Sequence, residues 1–374
     1  MFQDLKVLEL ASVLAGPSVG QFFAELGAEV IKIENLKTGG DVTRSWKGNG
    51  EKEGDRSAYF CSCNWGKKSV AVDLTTPKGI AIVQKLAAQS HLVIASYKPG
   101  DADKLGVSYE QLSAINPQLI YGQITGYGSE NERVGYDAVI QAEAGFMDLN
   151  GEKNGEPVKM PVALIDILAG HQLKEGLLLA LLKKEKNGTG SFVEVSLIQT
   201  AIASLANQAT NWLVAKKLPT RQGSSHPNIA PYGDSFVTRD NKRILLAVGS
   251  NKQFQRLMKV LDHSSIATLS EYSTNEARVI NRNSLNIILA AQIGKFESKE
   301  LLADLHRSMI PAGQIQTMKE LFEMPEANEM LIRNGELTGV RNFAANWMGD
   351  LKHSLLPPPG FGEHTEEVLR SIAF

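Results

Sequence analysis

The sequence predicts an α/β protein: a doubly wound, mainly parallel sheet, joined to a smaller α+β domain. Three observations carry this expectation. Short apolar strand patterns alternate with helical patterns from Lys6 to Val195, as stacked βαβ units require. After Pro219 the texture changes to a polar, turn-rich run, Arg221–Asn228, which reads as a linker. A length of 374 residues is enough for about two domains, each with its own core. The expected division is a large Rossmann-like α/β domain over 1–221, a small α+β domain over 222–325, and a C-terminal segment over 326–374 that returns to the large domain.

Element by element, Lys6–Leu10 is a short strand, and Pro17 suits the first turn of the helix that follows. Gly27 stops that helix, and Glu29–Glu34 is the next strand. Strand patterns recur at Ser69–Leu74, Leu92–Ala95, Leu119–Ile124 and Phe192–Val195. Between them, Thr76-Pro77 opens one helix and Ser108-Tyr109-Glu110-Gln111 forms a capping box for another. Ile167–Lys184 carries Leu173, Leu177, Ala180 and Leu181 at helical spacing. Ser196–Leu213 reads as one further apolar helix. In the small domain a hairpin is expected over Tyr232–Val248, turning at Arg239–Lys242, followed by helices near 253–261, 276–281 and 284–293.

Hydrophobic content of 43% and charged content of 21% describe an ordinary globular chain. A net charge of −2 offers no electrostatic case for nucleic acid or for a membrane surface. The N-terminus shows no signal-peptide pattern and no apolar run has membrane-spanning length. Cys61 and Cys63 are too close for an unstrained disulfide, and no histidines cluster near them. Two reduced thiols, no metal site and a cytoplasmic location are the expectations.

In a parallel sheet, ligands bind at the carboxyl ends of the strands, near the reversal of strand order. The loops that qualify gather Lys37, Arg44, Lys98, Lys104 and Arg133, which suits a phosphate-bearing ligand, although lysines also crowd ordinary surface loops. Asp166 ends the apolar run Met160–Ile165, at or beside the start of the long helix. There it is either an N-cap or a functional carboxylate; the segment alone favours the cap. A nicotinamide-binding unit is excluded because Ala11–Gly20 lacks G-x-G-x-x-G. Serine hydrolysis is excluded because no serine lies in G-x-S-x-G.

A series of segments in fixed order changes the reading of Asp166. It runs through Val7–Leu10 with Ala15-Gly16-Pro17, Leu26–Glu34, Gly40–Arg44, Lys98-Pro99-Gly100 with Lys104-Leu105-Gly106, and Gly126-Tyr127-Gly128. It continues through Gly135-Tyr136-Asp137 with Gln141-Ala142, Asp166 with Gly170, Gly188-Thr189-Gly190, Ile310–Gly313 and Gly362–Thr365. Together these resemble the family III CoA-transferases, the family of formyl-CoA transferase, carnitine CoA-transferase and the 2-methylacyl-CoA racemases.

The resemblance implies that Asp166 is a nucleophile and that coenzyme A, as acyl-CoA, is a substrate. It places CoA contacts at Val13, Asn35, Val72, Thr75, Ser96, Tyr97 and Lys104, with Tyr136 in the active site; Ala15, Lys37, Lys98 and Arg133 are further candidate CoA-binding residues. Asn35 and Lys104 stand where the family has arginine, and Ser96 where it has asparagine. Lys104 keeps the charge without the bidentate fork, and Lys37 is placed to compensate for Asn35. Leu14 stands where formyl-CoA transferase has glutamine, which argues against formyl or oxalyl substrates.

The implied chemistry is exchange of CoA between a thioester and a carboxylic acid through an aspartyl intermediate. Oxyanion donors are expected from the helix start or from Gly249-Ser250. The alternatives are an acyl-CoA racemase or isomerase of the same family, and a non-catalytic CoA-binding protein. Tyr136 holds the position of a racemase histidine and is a poor base at neutral pH. The resemblance also implies an interlocked homodimer.

Overall fold

The computed structural model describes residues 1–345 and 354–374. Residues 346–353, inside the expected C-terminal segment, lie outside the described residues. Two compact units form: Met1–Phe146 with Lys159–Lys217 and Glu329–Phe374, and Met147–Val158 with Leu218–Asn328. The short stretch 147–158 thus belongs with the second unit, although the sequence places it within 1–221.

In the first unit the strands β1 (Lys6–Leu10), β2 (Glu29–Asn35), β3 (Lys67–Val72), β4 (Leu92–Ala95), β5 (Ile120–Thr125) and β6 (Ser191–Ser196) make one sheet. Its order is β3-β2-β1-β4-β5-β6, and every pairing is parallel. Chain order reverses between β1 and β4, so the crevice for a ligand opens beyond the end of β1.

Both faces of the sheet are covered, and for that reason the strands are apolar almost throughout. Alternate residues serve opposite cores. Val7 packs with Val19, Phe22, Phe23, Leu173 and Leu177 on one side. Leu8 and Leu10 pack with Val83, Leu86, Leu112 and Val368 on the other. The helix Ala15–Glu25 is buried along its whole length. Thr76 caps the helix Pro77–Ala88 through the Gly79 N–H, and Ser108 with Gln111 makes the anticipated capping box.

The long helix runs Leu164–Asn187 and ends on Gly188 at φ 68°, the left-handed stop that glycine accommodates. A Cβ at Gly170 would lie 2.5 Å from Ser18 Oγ and 3.2 Å from the Ala15 carbonyl. Glycine therefore lets this helix lie directly against the first turn of 15–25. The single helix expected over 196–213 is two, Leu197–Ser204 and Ala206–Leu213. Ala206 at φ 48° breaks the run.

The C-terminal end covers the free edge of β3. His364 N–H donates to the Ser69 carbonyl at 3.0 Å, Thr365 Oγ1 accepts from the Ala71 N–H at 3.0 Å, and the helix Thr365–Ser371 sends Val368 into the core. The edge is thus closed to further pairing. A hairpin of β10 (Leu331–Asn334) and β11 (Leu337–Val340), not anticipated from the sequence, belongs to this unit.

The second unit carries the expected hairpin, β7 (Tyr232–Val237) with β8 (Arg243–Ala247), extended by β9 (Ala312–Gln314). Its core gathers Phe254, Leu257, Leu285, Leu289, Leu301 and Leu305 from three helices.

Candidate active site

A cleft of about 500 Å³ opens at the carboxyl ends of β1, β2 and β3. Leu10, Ala11 and Ser12 line one wall, Asn35 and Gly39–Val42 the next, and Val72–Thr75 with Tyr97 the third. The structure thus brings together four of the expected CoA contacts: Asn35, Val72, Thr75 and Tyr97. Lys37 stands at the same edge, its ammonium 2.5 Å from Thr75 Oγ1 and 3.2 Å from Asp73 Oδ2. Burial pushes the Tyr97 hydroxyl up to about 12, so it stays protonated as a donor.

Two paired charge networks meet the cleft, with Lys32, Glu34, Asp41 and Arg44 among its lining residues. Lys32 Nζ sits 3.0 Å from Glu9 Oε1 and 2.9 Å from Asp41 Oδ2, and donates to the Ala11 carbonyl at 2.7 Å. Lys67 Nζ sits 2.7 Å from Glu9 Oε2 and donates to Asn64 Oδ1 and the Pro17 carbonyl. Burial works against the Lys32 charge, but Glu9 and Asp41 outweigh it and hold its ammonium above the ordinary range. In the second network Arg44 grips both oxygens of Glu34, at 2.5 and 2.8 Å. Burial alone would raise the Glu34 carboxyl, yet Arg44 and Lys32 pull it below its usual value. Arg44, one of the cations expected to meet a phosphate, is therefore buried and committed to Glu34.

Asp166 is in a different state. It is the third residue of its helix; Ala163 holds the N-cap position, with no side-chain cap. The capping carboxylate comes from Asp137, whose Oδ1 accepts the Ile165 N–H at 2.8 Å. Asp137 Oδ2 accepts from Gln141 at 2.7 Å, and Gln141 in turn accepts the Met160 N–H at 2.9 Å. The N-cap reading of Asp166 is thus corrected: the cap lies 28 residues earlier in the chain.

Among the described residues nothing donates a hydrogen bond to the Asp166 side chain, although it is buried. Burial first, and the Asp137 charge second, push its carboxyl up to about 7. Asp166 shares a helix face with Gly170 one turn on, and that face abuts Ala15 and Ser18. Half-buried Tyr59, missed by sequence reasoning, is pushed up to about 12 by burial and then by the Asp166 charge.

The other expected residues are not among those lining the cleft. Val13, in the loop before 15–25, has φ 73° and donates its N–H to Asp41. Ala15 opens that helix, and Ser96 Oγ accepts the Ser12 N–H at 3.2 Å. Lys98 and Lys104 are exposed, with Lys104 paired to Asp101 at 3.2 Å. Arg133 pairs with Glu143 and stacks over Tyr127 at 4.2 Å. Tyr136 is 61% exposed and precedes the helix Asp137–Glu143. In the second unit the Gly249 N–H is engaged by Gln253 Oε1 at 3.0 Å. No group of three or more His, Cys, Asp or Glu able to hold a metal occurs among the described residues.

A cleft at the sheet's carboxyl edge, with a buried carboxylate at a helix start, suits acyl transfer. Comparison with known proteins agrees. Residues 2–365 match CoA-transferase family III. The chain is 36% identical to the succinate–glutarate CoA-transferase of Agrobacterium fabrum, over 98% of this chain and 94% of that protein. It is 35% identical to the succinyl-CoA:glutarate CoA-transferase of Homo sapiens, over 99% of this chain and 85% of that one. Among solved structures, a CaiB/BaiF family protein from Brucella suis matches with a TM-score of 0.86 at 38% identity, covering 98% of both chains. The chain therefore belongs to the family III CoA-transferases and is an enzyme that moves CoA from an acyl-CoA thioester to a free carboxylic acid.

Proposed function

We propose that Asp166 is the nucleophile of this transfer, that the cleft at β1–β3 takes the CoA moiety, and that the acids exchanged are dicarboxylates, with succinyl-CoA as donor and glutarate as acceptor. The observation that carries the proposal is the Asp166 carboxylate, buried and free of hydrogen bonds at the start of its helix. A carboxylate without donors keeps its lone pairs for attack, and a raised carboxyl pKa makes the ionised form more nucleophilic. The substrate choice rests on the relatives, whose names couple succinate and glutarate.

In this mechanism an Asp166 oxygen attacks the thioester carbonyl and CoA leaves as thiolate, giving a mixed anhydride. The thiolate then attacks the aspartyl carbonyl, releasing the donor acid and leaving an aspartyl-CoA thioester. The acceptor carboxylate attacks that thioester to form a second anhydride, and the thiolate takes the acceptor acyl group, restoring Asp166. Each step exchanges one acyl bond for another, so no external energy source enters. The positive end of the helix dipole favours the oxyanions that form there. Asn35, Val72, Thr75 and Tyr97 bind CoA at the cleft, Lys37, Lys98, Lys104 and Arg133 meet its phosphates, and Val13, Ala15, Ser96 and Tyr136 flank the acyl end. Racemisation is disfavoured: Tyr136 is no base, and the Asp137 oxygens are engaged by Ile165 and Gln141.

The test is enzyme incubated with succinyl-CoA and no acceptor, then hydroxylamine. A hydroxamate at position 166 is expected; none, from enzyme that turns over normally, overturns the reading.

The active form in this reading is an interlocked homodimer in the cytoplasm. Exposed apolar side chains on 197–214, including Ile202, Trp212, Leu213 and Val214, support a covering second copy. The unpaired thiols of Cys61 and Cys63 support a reducing compartment. Light scattering giving a mass near 40.7 kDa, that of one chain, would remove the dimer.

A further inference from the structure

We propose that Asp41 is a positioning residue: it locks Val13 in a left-handed backbone conformation and so fixes the loop that walls the cleft. The proposal rests on the reading of that cleft as the CoA site. Val13 stands at φ 73°, a region that β-branched side chains avoid because Cβ crowds the following carbonyl. Such a conformation persists only where its surroundings over-determine it. Here they do. The Val13 N–H points at both Asp41 carboxylate oxygens, 3.3 Å from each. Its carbonyl accepts from Cys63 Sγ at 3.4 Å. On either side, the Ala11 carbonyl accepts from Lys32 at 2.7 Å and the Pro17 carbonyl from Lys67 at 2.9 Å.

Asp41 is itself immobile. Oδ1 accepts from the Thr43 N–H at 3.0 Å and Thr43 Oγ1 at 2.8 Å, while Oδ2 faces Lys32 at 2.9 Å. Its own N–H donates to Glu34 Oε2 at 2.8 Å. Both oxygens are thus fully used as acceptors. An asparagine of the same shape would turn an NH2 group either towards the Lys32 ammonium or towards the two Thr43 donors. The clamp needs a carboxylate. What it holds is functional ground: Ala11, Ser12 and Asp41 line the cleft. The loop then runs into the helix turn that abuts Gly170, one turn from Asp166.

The experiment is Asp41→Asn alone and combined with Val13→Gly, with KM for the acyl-CoA and kcat measured separately and the folded fraction checked by thermal melting. The single change is expected to raise KM by roughly tenfold, with a smaller loss in kcat. Val13→Gly is expected to restore most of that KM, because glycine occupies positive φ without steric cost and no longer needs the clamp. Unchanged KM in folded Asp41→Asn, or raised KM that Val13→Gly does not lower, overturns the proposal. Should Asp41→Asn fail to fold, Thr43→Val removes one anchor of Asp41 and leaves every charge in place. A smaller KM rise, again reversed by Val13→Gly, supports the clamp; no rise overturns it. Thr75→Trp, at an exposed residue lining the cleft, places bulk in it and tests the CoA reading by itself. Unchanged KM there would sink that reading, while the Val13→Gly rescue would still decide whether Asp41 holds the loop.

Discussion

The two charged regions of the first unit make opposite use of the same chemistry. In the networks that meet the cleft, Glu9, Lys32, Asp41, Lys67, Glu34 and Arg44 are buried in opposite-charge contact. At the start of 164–187, Asp166 is buried, the Asp137 charge raises its carboxyl, and nothing among the described residues donates to its side chain. Burial costs a carboxylate free energy in either place. In the first region Lys32 and Arg44 offset that cost and the groups become scaffold. In the second nothing offsets it, and the carboxyl moves up to about 7 instead. A buried acid without a partner among the described residues is what the proposal of Asp166 as nucleophile rests on.

Asp166→Asn probes the contrast most strongly. It keeps shape and removes the nucleophile, so transfer is expected to fall by several powers of ten, on the order of what losing a covalent route costs. Steady-state turnover of succinyl-CoA with glutarate measures this. Near-normal turnover by the folded variant would return Asp166 to the scaffold.

Glu34→Gln probes the other region. It leaves the Arg44 guanidinium buried without its anionic partner, and removing one member of a buried pair costs about 3–5 kcal/mol. Urea denaturation should show that loss, with kcat of the folded fraction far less affected than in Asp166→Asn.

The pH dependence follows from the raised Asp166 carboxyl, against an ordinary value of 3.8. The folded state holds this proton more tightly than the unfolded chain does. The stability it contributes is fully present below about pH 4 and is lost as pH rises through about 7. Ionised Asp166 therefore costs the folded state on the order of a few kcal/mol above neutrality. Asp166→Asn, which never ionises, should melt higher than wild type at pH 8, with the gap closing towards pH 4. Transfer by wild type should rise over the same range, as the nucleophile ionises.

The sheet was legible in the sequence because strands buried on both faces must be apolar, and glycine and proline punctuate them. The break at Ala206 and the hairpin at 331–340 carry no such signal: the first lies in a run without glycine or proline, and the second is held by packing of Ile332 with Trp65 and Leu355. At the site, the proposed role of Asp166 was legible in the order of its neighbouring segments. Its cap was not, because Asp137 reaches Ile165 across 28 residues and local capping rules look only a turn away. The partner of Arg44 was hidden for the same reason: Glu34 lies 10 residues back in the chain.

Asp137 joins the two regions, since it is hydrogen-bonded like the scaffold and yet raises its neighbour. Asp137→Asn tests which role dominates. The amide oxygen can still accept the Ile165 N–H, but its NH2 group then faces the Gln141 donor, so the loss of stability should exceed the about 1 kcal/mol of a weakened cap. The negative charge beside Asp166 is gone, however. Since burial is the larger cause of the raised Asp166 carboxyl and the Asp137 charge the smaller, the acid limb of the pH–rate profile should move down without reaching the range of an exposed aspartate. Plateau kcat should change far less than in Asp166→Asn, because the nucleophile remains. If the limb stays where it is, burial alone sets the Asp166 carboxyl, and Asp137 belongs entirely to the scaffold. If it falls to the ordinary carboxylate range, the proximity of two like charges, not burial, keeps this aspartate distinct from the paired acids at the cleft.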